Sequence, residues 1–372
     1  MKKNPQSLPF ECVALLLQGG GALGAYQAGV YEALSEAGIE PTWIAGISIG
    51  AVNSAIIAGN APDKRVEKLR AFWESITMPA PVDLSPFIRG DMARGIVNQL
   101  YSAMALTTGV ADFFQPRFPM PLFQPPGTVE ATSFYDASIL KSTLERLIDF
   151  DRINSDSMCF SVGAVNVRSG NFVYFDNTTY TIGPEHIMAS GALPPGFPAV
   201  EIEGDYYWDG GLVSNTPLDW VLGSRPQHDS LVFQVDLWSA RGDIPSSLPE
   251  VLTRQKEIQY SSRTRSSTDR FRHAQKLRCA LANVLDKLPE ALHKDSDVKL
   301  LKTEAVRKVF NIVELIYRTR HYEGDSKDYE FSRQSMEEHW KAGYFDTVRT
   351  LRNKAVLQRP VGDIVQAFDM AG

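Results

Sequence analysis

Cysteine is scarce in this chain: three among 372 residues, Cys12, Cys159 and Cys279, far apart and odd in number. That excludes a disulfide framework, and without a C-x-x-C pair there is no basis for a zinc knuckle. Long apolar runs are missing too. No stretch approaches the roughly 18 residues that suggest a bilayer-spanning helix. Val13 to Leu17, behind Lys2 and Lys3, is too short for a secretory core and runs straight into glycines. No large excess of one charge is present: the formal net charge is −6, which speaks against a nucleic-acid partner, since that needs a basic surface. Internal repeats are lacking as well. With 44% hydrophobic and 22% charged residues, the chain is far from the composition of a disordered one. The expectation is a soluble, cytoplasmic protein of one large domain with additions, or of two domains.

Short β-like runs alternate with helical periodicity from Val13 to about Asp236, the pattern of a mostly parallel sheet covered by helices. Val13 to Gln18 reads as a buried strand, Ala22 to Ala37 as a helix stopped by Gly38, Trp43 to Ile47 as a second strand and Ile49 to Ala58 as a second helix. Arg65 to Thr77 and Ala137 to Phe150 read as further helices. Between them, Pro79 to Thr132 is rich in proline and aromatics, and reads as an irregular insertion that is either a lid or packed on the core. Cys159 to Val167 and Phe172 to Phe175 suit a hairpin turning at Ser169-Gly170, followed by a short helix over Pro184 to Ser190. Val200 to Ile202 and Tyr206 to Trp208 suit a second hairpin, and Ser230 to Leu237 a further strand. A break near Ala240 to Pro249 opens a charged, helical region. Arg254 to Arg278 carries eight Lys/Arg against Glu257 and Asp269, Phe310 to Tyr317 suits a late strand, and Ser332 to Leu351 an amphipathic helix.

Two glycine motifs carry the chemistry, each after an expected strand and opening an expected helix. Gly19-Gly20-Gly21-Ala22-Leu23-Gly24 satisfies G-x-G-x-x-G, which also marks dinucleotide sites. In either use, glycines let backbone N–H groups approach a negative atom at a helix N-terminus. Gly46-Ile47-Ser48-Ile49-Gly50 is a G-x-S-x-G nucleophile elbow in its strand-to-helix setting. A dinucleotide site wants an acid at the end of the second strand, and the serine stands there instead; Glu40 precedes the strand.

Ser48 needs a base, because a free hydroxyl is a weak nucleophile. Of six histidines, only His186 falls in the core near a candidate loop, and its ordinary reading is a helix-packing residue. Asp209, in Trp208-Asp209-Gly210-Gly211, is the stronger candidate. It ends a strand on a tight loop, where partial burial would raise its proton affinity; the ordinary alternative is an Asp-Gly turn.

Taken in chain order, Gly19 to Gly24, Gly46 to Gly50, Ala189 to Pro198 and Asp209-Gly210-Gly211 resemble the patatin-like phospholipases, over roughly Val13 to Leu237. Beyond Ala240 the chain resembles a bacterial subgroup with a C-terminal extension. The resemblance implies a three-layer α/β/α fold with a mostly parallel sheet. It implies a catalytic domain over residues 8–240, with the insertion at 79–132, and a mainly helical extension over 241–372 that can add a strand to the sheet. It also implies a serine acyl hydrolase with Ser48 as nucleophile and Asp209 as proton acceptor. The oxyanion hole would be built from Gly19, Gly20, Gly21, Ala22 and Gly24, with Gly46, Gly50, Gly210 and Gly211 shaping the turns. Leu23 departs from the family, which often carries Arg or Lys there to help hold an anionic substrate. No metal or cofactor is expected, and the expected partner is a lipid or acyl ester. Peripheral membrane contact would run through Phe113, Phe114, Phe118, Leu122 and Phe123, helped by the basic run. A homo-oligomer stays open. A general carboxylesterase or polyester depolymerase would use the same dyad, and a non-catalytic dinucleotide- or lipid-binding module is the alternative from another class.

Overall fold

The computed structural model describes residues 8–79, 90–155, 157–223, 227–320, 322–360 and 365–369. In chain order the strands are β1 (Cys12–Leu17), β2 (Trp43–Ile47), β3 (Gln115–Pro116), β4 (Tyr135–Asp136), β5 (Cys159–Asn166), β6 (Phe172–Asp176), β7 (Val200–Ile202), β8 (Asp205–Asp209), β9 (Ser230–Asp236), β10 (Phe310–Ile316) and β11 (Val365–Asp369). The helices are α1 (Ala25–Glu36), α2 (Ile49–Ala58), α3 (Arg65–Ser75), α4 (Asp91–Thr108), α5 (Ser138–Leu147), α6 (Phe150–Ile153), α7 (Pro184–Ser190), α8 (Leu218–Gly223), α9 (Leu248–Leu285), α10 (Ser296–Glu304) and α11 (Arg333–Leu351).

Nine strands form one sheet in the order β11-β10-β9-β1-β2-β5-β8-β7, with β6 also on β5. From β11 to β5 the pairing is parallel; β6, β8 and β7 join antiparallel. The central strand β1 is buried on both faces, and its period of two divides the core. Val13, Leu15 and Leu17 face a large cluster with Tyr26, Val30, Phe72 and Trp340 of α1, α3 and α11. Cys12, Ala14 and Leu16 face a smaller cluster with Leu218, Leu222 and Phe271 of α8 and α9. The result is helix, sheet, helix, as the resemblance implied.

The C-terminal region is woven into this core. β10 lies between β9 and β11, and all seven of its residues pair with β9. α11 crosses α1 through two glycines. A Cβ on Gly29 would run into the Trp340 carbonyl, and one on Gly343 into the Tyr26 carbonyl. At the same contact the Tyr26 hydroxyl donates to Asp346 at 3.0 Å and the Tyr344 hydroxyl to Glu36 at 2.6 Å.

The insertion differs from its sequence reading. Eighteen of its residues form α4, hidden in the sequence by the proline- and aromatic-rich stretch after it. Residues 80–89 lie outside the described residues. Among the described residues no helix is long and apolar enough to cross a membrane. Replacing Gly343 by Ala is expected to force α1 and α11 apart at a cost of about 1–3 kcal/mol. A lowered denaturant midpoint would show it, and an unchanged one would mean the crossing relaxes freely.

Candidate active site

Strand β5 sets the geometry. Its Gly163 pairs with Ile47, the last residue of β2, and the next residue, Ala164, pairs with Asp209, the last residue of β8. One strand ends where the other, running antiparallel, arrives. Ser48 and Asp209 therefore meet at the carboxyl end of β2, where open α/β sheets hold their ligands. The Ser48 hydroxyl faces the Asp209 carboxylate and lowers its proton affinity, and the carboxylate accepts the Gly211 amide at 2.7 Å.

Ser48 stands in a strained turn, φ 58° and ψ −126°, before the first residue of α2. Such a conformation costs on the order of 1–3 kcal/mol and persists only where the surroundings fix it. Here, a Cβ on Gly46 would strike the Gly50 carbonyl, and one on Gly50 the Leu17 carbonyl. The Ser48 amide donates to both the carbonyl (3.1 Å) and the hydroxyl (3.0 Å) of Ser190, whose hydroxyl donates to the Gly163 carbonyl at 2.6 Å. Two residues on, the Ala192 carbonyl accepts the Asp209 amide at 3.0 Å. The segment after α7 thus ties the serine and the aspartate to one frame.

Asp209 is only 2% exposed. Burial pushes its carboxyl up to about 6, against the opposing pull of the Ser48 and Gly211 hydrogen bonds. His186 is occupied elsewhere: its Nδ1 accepts the Gly183 amide at 3.0 Å and caps α7, and burial lowers its proton affinity. Among the described residues, no histidine lines the cavity around Ser48.

The glycine-rich loop turns above the serine, but its amides are not all free. The Gly19 amide donates to the Asn215 carbonyl at 3.3 Å and the Ala22 amide to the Asp328 carbonyl at 2.8 Å. Both are engaged within the protein. Gly24 lies at the end of a 3-10 turn (Gly21–Gly24), where a Cβ would press on Ile49 and Trp73; its part is packing. Among the described residues, the amides of Gly20 and Gly21 donate no hydrogen bond, and both glycines line the cavity with Ser48. Gly210 packs where a Cβ would meet the Gly163 carbonyl at 2.7 Å and Ile47 at 3.0 Å, and Gly211 supplies its amide to Asp209.

Several residues of the frame carry no signal in a single sequence. Asn215 Nδ2 and Trp238 Nε1 both donate to the Gly19 carbonyl at 3.0 Å. Gln18, fully buried, accepts the Leu237 and Trp238 amides and donates to Thr216 and the Tyr260 carbonyl.

The cavity measures about 550 Å³ and is walled mainly by apolar groups, among them Phe113, Phe114, Tyr135, Phe197 and Phe331. Phe114 is 5% exposed and its ring packs edge-on against Tyr135, Phe197 and Phe331. Phe113 and Phe114 are therefore cavity wall and not exposed surface, because the β3–β4 pairing folds their segment back over the site. Phe118, Leu122 and Phe123 do stand out, at 95%, 87% and 74% exposure. Leu106 and Val129 line the cavity and reach solvent, so it opens toward the insertion.

A profile of the patatin-like phospholipases matches residues 15–222, more than half of the chain. The chain belongs to the patatin-like phospholipase family. A second profile, described as patatin phospholipase, matches residues 258–363, so the patatin signature continues into the C-terminal region. A lysophospholipase, nte1 of Aspergillus terreus, is 26% identical over 241 residues, 65% of this chain but only 13% of that protein. The chain thus spans about an eighth of the length of the curated relative it matches. Among solved structures, VipD from Legionella pneumophila aligns over 95% of this chain and 70% of its own, with 14% identity and a TM-score of 0.40. The type III effector ExoU aligns over 95% and 55%, with 12% identity and a TM-score of 0.33.

Replacing Ser190 by Ala removes one acceptor from the Ser48 amide and one donor from the Gly163 carbonyl. The expected loss is about 1–3 kcal/mol of stability, since the buried Gly163 carbonyl is left short of a partner. Chemical denaturation measures it, and an unchanged midpoint would mean water takes the hydroxyl's place.

Proposed function

We propose that this protein is a serine acyl hydrolase cleaving fatty-acyl esters of lipids, in the manner of a phospholipase A or lipase, with Ser48 as nucleophile and Asp209 as its base. One observation carries the reading: a serine in a strained turn, facing a buried aspartate in an apolar cavity. Ser48 Oγ attacks the ester carbonyl as Asp209 takes its proton, and the C–O double bond becomes a tetrahedral oxyanion. The Gly20 and Gly21 amides receive that charge, a type of stabilisation worth about 3–4 kcal/mol per donor. Asp209 returns the proton to the leaving alcohol oxygen as the ester bond breaks, leaving an acyl-serine. Water, deprotonated by Asp209, attacks the acyl carbon, the fatty acid leaves, and Ser48 recovers its proton. A buried carboxyl near 6 suits this work, being charged at neutral pH yet a better proton acceptor than an ordinary aspartate.

The same reading treats residues 8–240 as the unit that carries the chemistry, with the insertion as its approach to lipid, and 241–372 as the extension. Phe118, Leu122 and Phe123, beside Met120, form an apolar rim near the opening. On α4, Ile96, Leu100 and Met104 recur every four residues and are all exposed, making one stripe. An aggregated lipid surface would cover this rim as an ester enters. The basic run adds less than its count suggests, because Arg254 turns to the carbonyls of Ser239 and Ala240 and Lys256 to Asp328.

Three measurements test this. Hydrolysis of a medium-chain p-nitrophenyl ester should vanish in Ser48→Ala and in Asp209→Asn, at unchanged fold and with or without chelator; activity surviving in Ser48→Ala would sink the reading. In the wild type, kcat/KM should rise with pH through about 6, because the base form of Asp209 is lost below it; a profile flat down to pH 4 would point to another base. Phe118→Ser/Leu122→Ser/Phe123→Ser should lower activity on phospholipid vesicles several-fold while sparing monomeric ester. Equal loss on both would deny the rim its role, and equal wild-type activity on both would favour a general carboxylesterase.

A further inference from the structure

The glycine-rich loop is gripped at both ends, and the two grips come from different parts of the chain. Its first residue, Gly19, is held by Asn215 and Trp238. At Gly21 and Ala22 the grip comes from the C-terminal region. The Asp328 carbonyl takes the Ala22 amide at 2.8 Å, and Gly21, at φ 55°, lies so close beneath that carbonyl that a Cβ would collide with it. Asp328 sits in an irregular stretch between β10 and α11, which by itself would not hold a carbonyl to a fraction of an ångström. Lys256 of α9 supplies the anchor. Its ammonium donates to both Asp328 carboxylate oxygens, at 2.8 and 3.1 Å, and to the Asp325 carbonyl at 2.7 Å, which uses all three of its donors. One turn along α9, the Tyr260 carbonyl accepts Gln18 Nε2 at 3.2 Å, and Gln18 immediately precedes Gly19. The connections close on themselves: Gln18, Tyr260, Lys256, Asp328, Ala22.

We propose that Lys256 and Asp328 are positioning residues for the oxyanion hole, so that the C-terminal region, which also lines the cavity at Asp328 and Phe331, tunes the reactivity of Ser48 through the loop. The proposal rests on the serine hydrolase reading above. The Ala22 amide is spent on Asp328, and that bond fixes the Gly21–Ala22 peptide plane, and with it the orientation of Gly21 and of the amides left free at Gly20 and Gly21. Lys256 reaches the loop only through Asp328, and its value lies in geometry: the free amides must point at the place where the oxyanion forms, and not where the ground-state carbonyl rests. An error there raises the barrier while leaving acyl binding in the cavity largely intact.

The test is steady-state kinetics on a monomeric p-nitrophenyl ester, with Ser48→Ala as the blank. Lys256→Ala is expected to lower kcat by about ten- to a hundredfold, with KM changed by less than about threefold. Lys256→Arg, which keeps a cation within reach of Asp328, should recover most of kcat. Asp328→Asn, which keeps the carbonyl and removes the charge, should lower kcat in the same direction, and the double variant should lose no more than Lys256→Ala alone. Wild-type kcat in Lys256→Ala or in Asp328→Asn would overturn the proposal. So would a fall in kcat that Lys256→Arg fails to rescue and that follows the loss of thermal stability. Should Lys256→Ala not fold, Lys256→Arg and Asp328→Asn decide alone: a normal kcat in the first with a reduced kcat in the second supports the clamp, and equal values in both overturn it. Activity that survives in Ser48→Ala would instead defeat the underlying reading, a result distinct from any of these.

Discussion

The site depends on one event in the sheet: β2 ends, and β8 takes over its side of β5 from the opposite direction. Because Gly163 and Ala164 are adjacent, Ile47 and Asp209 are brought to neighbouring rungs. The chain leaving β2 must turn sharply to avoid the incoming strand, and the residue at that turn is Ser48. The strained dihedrals, the two glycines without room for a side chain, and the contact between hydroxyl and carboxylate are consequences of that handover. So is the raised proton affinity of Asp209, which is buried because it lies inside the sheet and not beyond its edge.

Burial and hydrogen bonding act on Asp209 in opposite senses, and burial is the larger. The sheet could have held a fully neutral carboxyl there, or a fully solvated one. A partner on each side, Ser48 and the Gly211 amide, limits the shift and keeps the group ionisable near neutrality. Asp236, at the end of β9, is as deeply buried and also has two donors, Gln234 and Thr216, but the nearby Glu314 carboxylate adds to burial and it is pushed further, to about 7. With two donors on each, it is the neighbouring negative charge that separates the two carboxylates.

Much of this was readable in the sequence where the signal is local. Both glycine motifs fall between a strand and a helix, and β2, α2 and α7 run over the residues that periodicity and punctuation indicated. Local signals failed where neighbours dominated: α4 is helical by its own composition but borders a stretch full of proline, and β11 is five residues, too short for a period to stand out. They failed entirely where function depends on a distant acceptor. Nothing near Ala22 says that its amide is taken by Asp328, and a run of cations does not say which of them turn inward. Phe113 and Phe114 read as surface because an apolar pair in a loop looks the same whether a hairpin folds it over a cavity or leaves it in water.

The parallel run of β9, β10 and β11 has a bearing on how this protein can be divided. Every residue of β9 is buried, and one of its two edges is satisfied only by β10. A chain stopped at the change of composition near Ala240 would present that edge unpaired: seven residues, Ser-Leu-Val-Phe-Gln-Val-Asp, with four apolar or aromatic side chains and hydrogen-bonding groups in register. Such an edge is a template for another strand of the same kind. The catalytic motifs and the fold therefore have different extents, and the smallest soluble piece of this protein is set by sheet closure rather than by the reach of its chemistry.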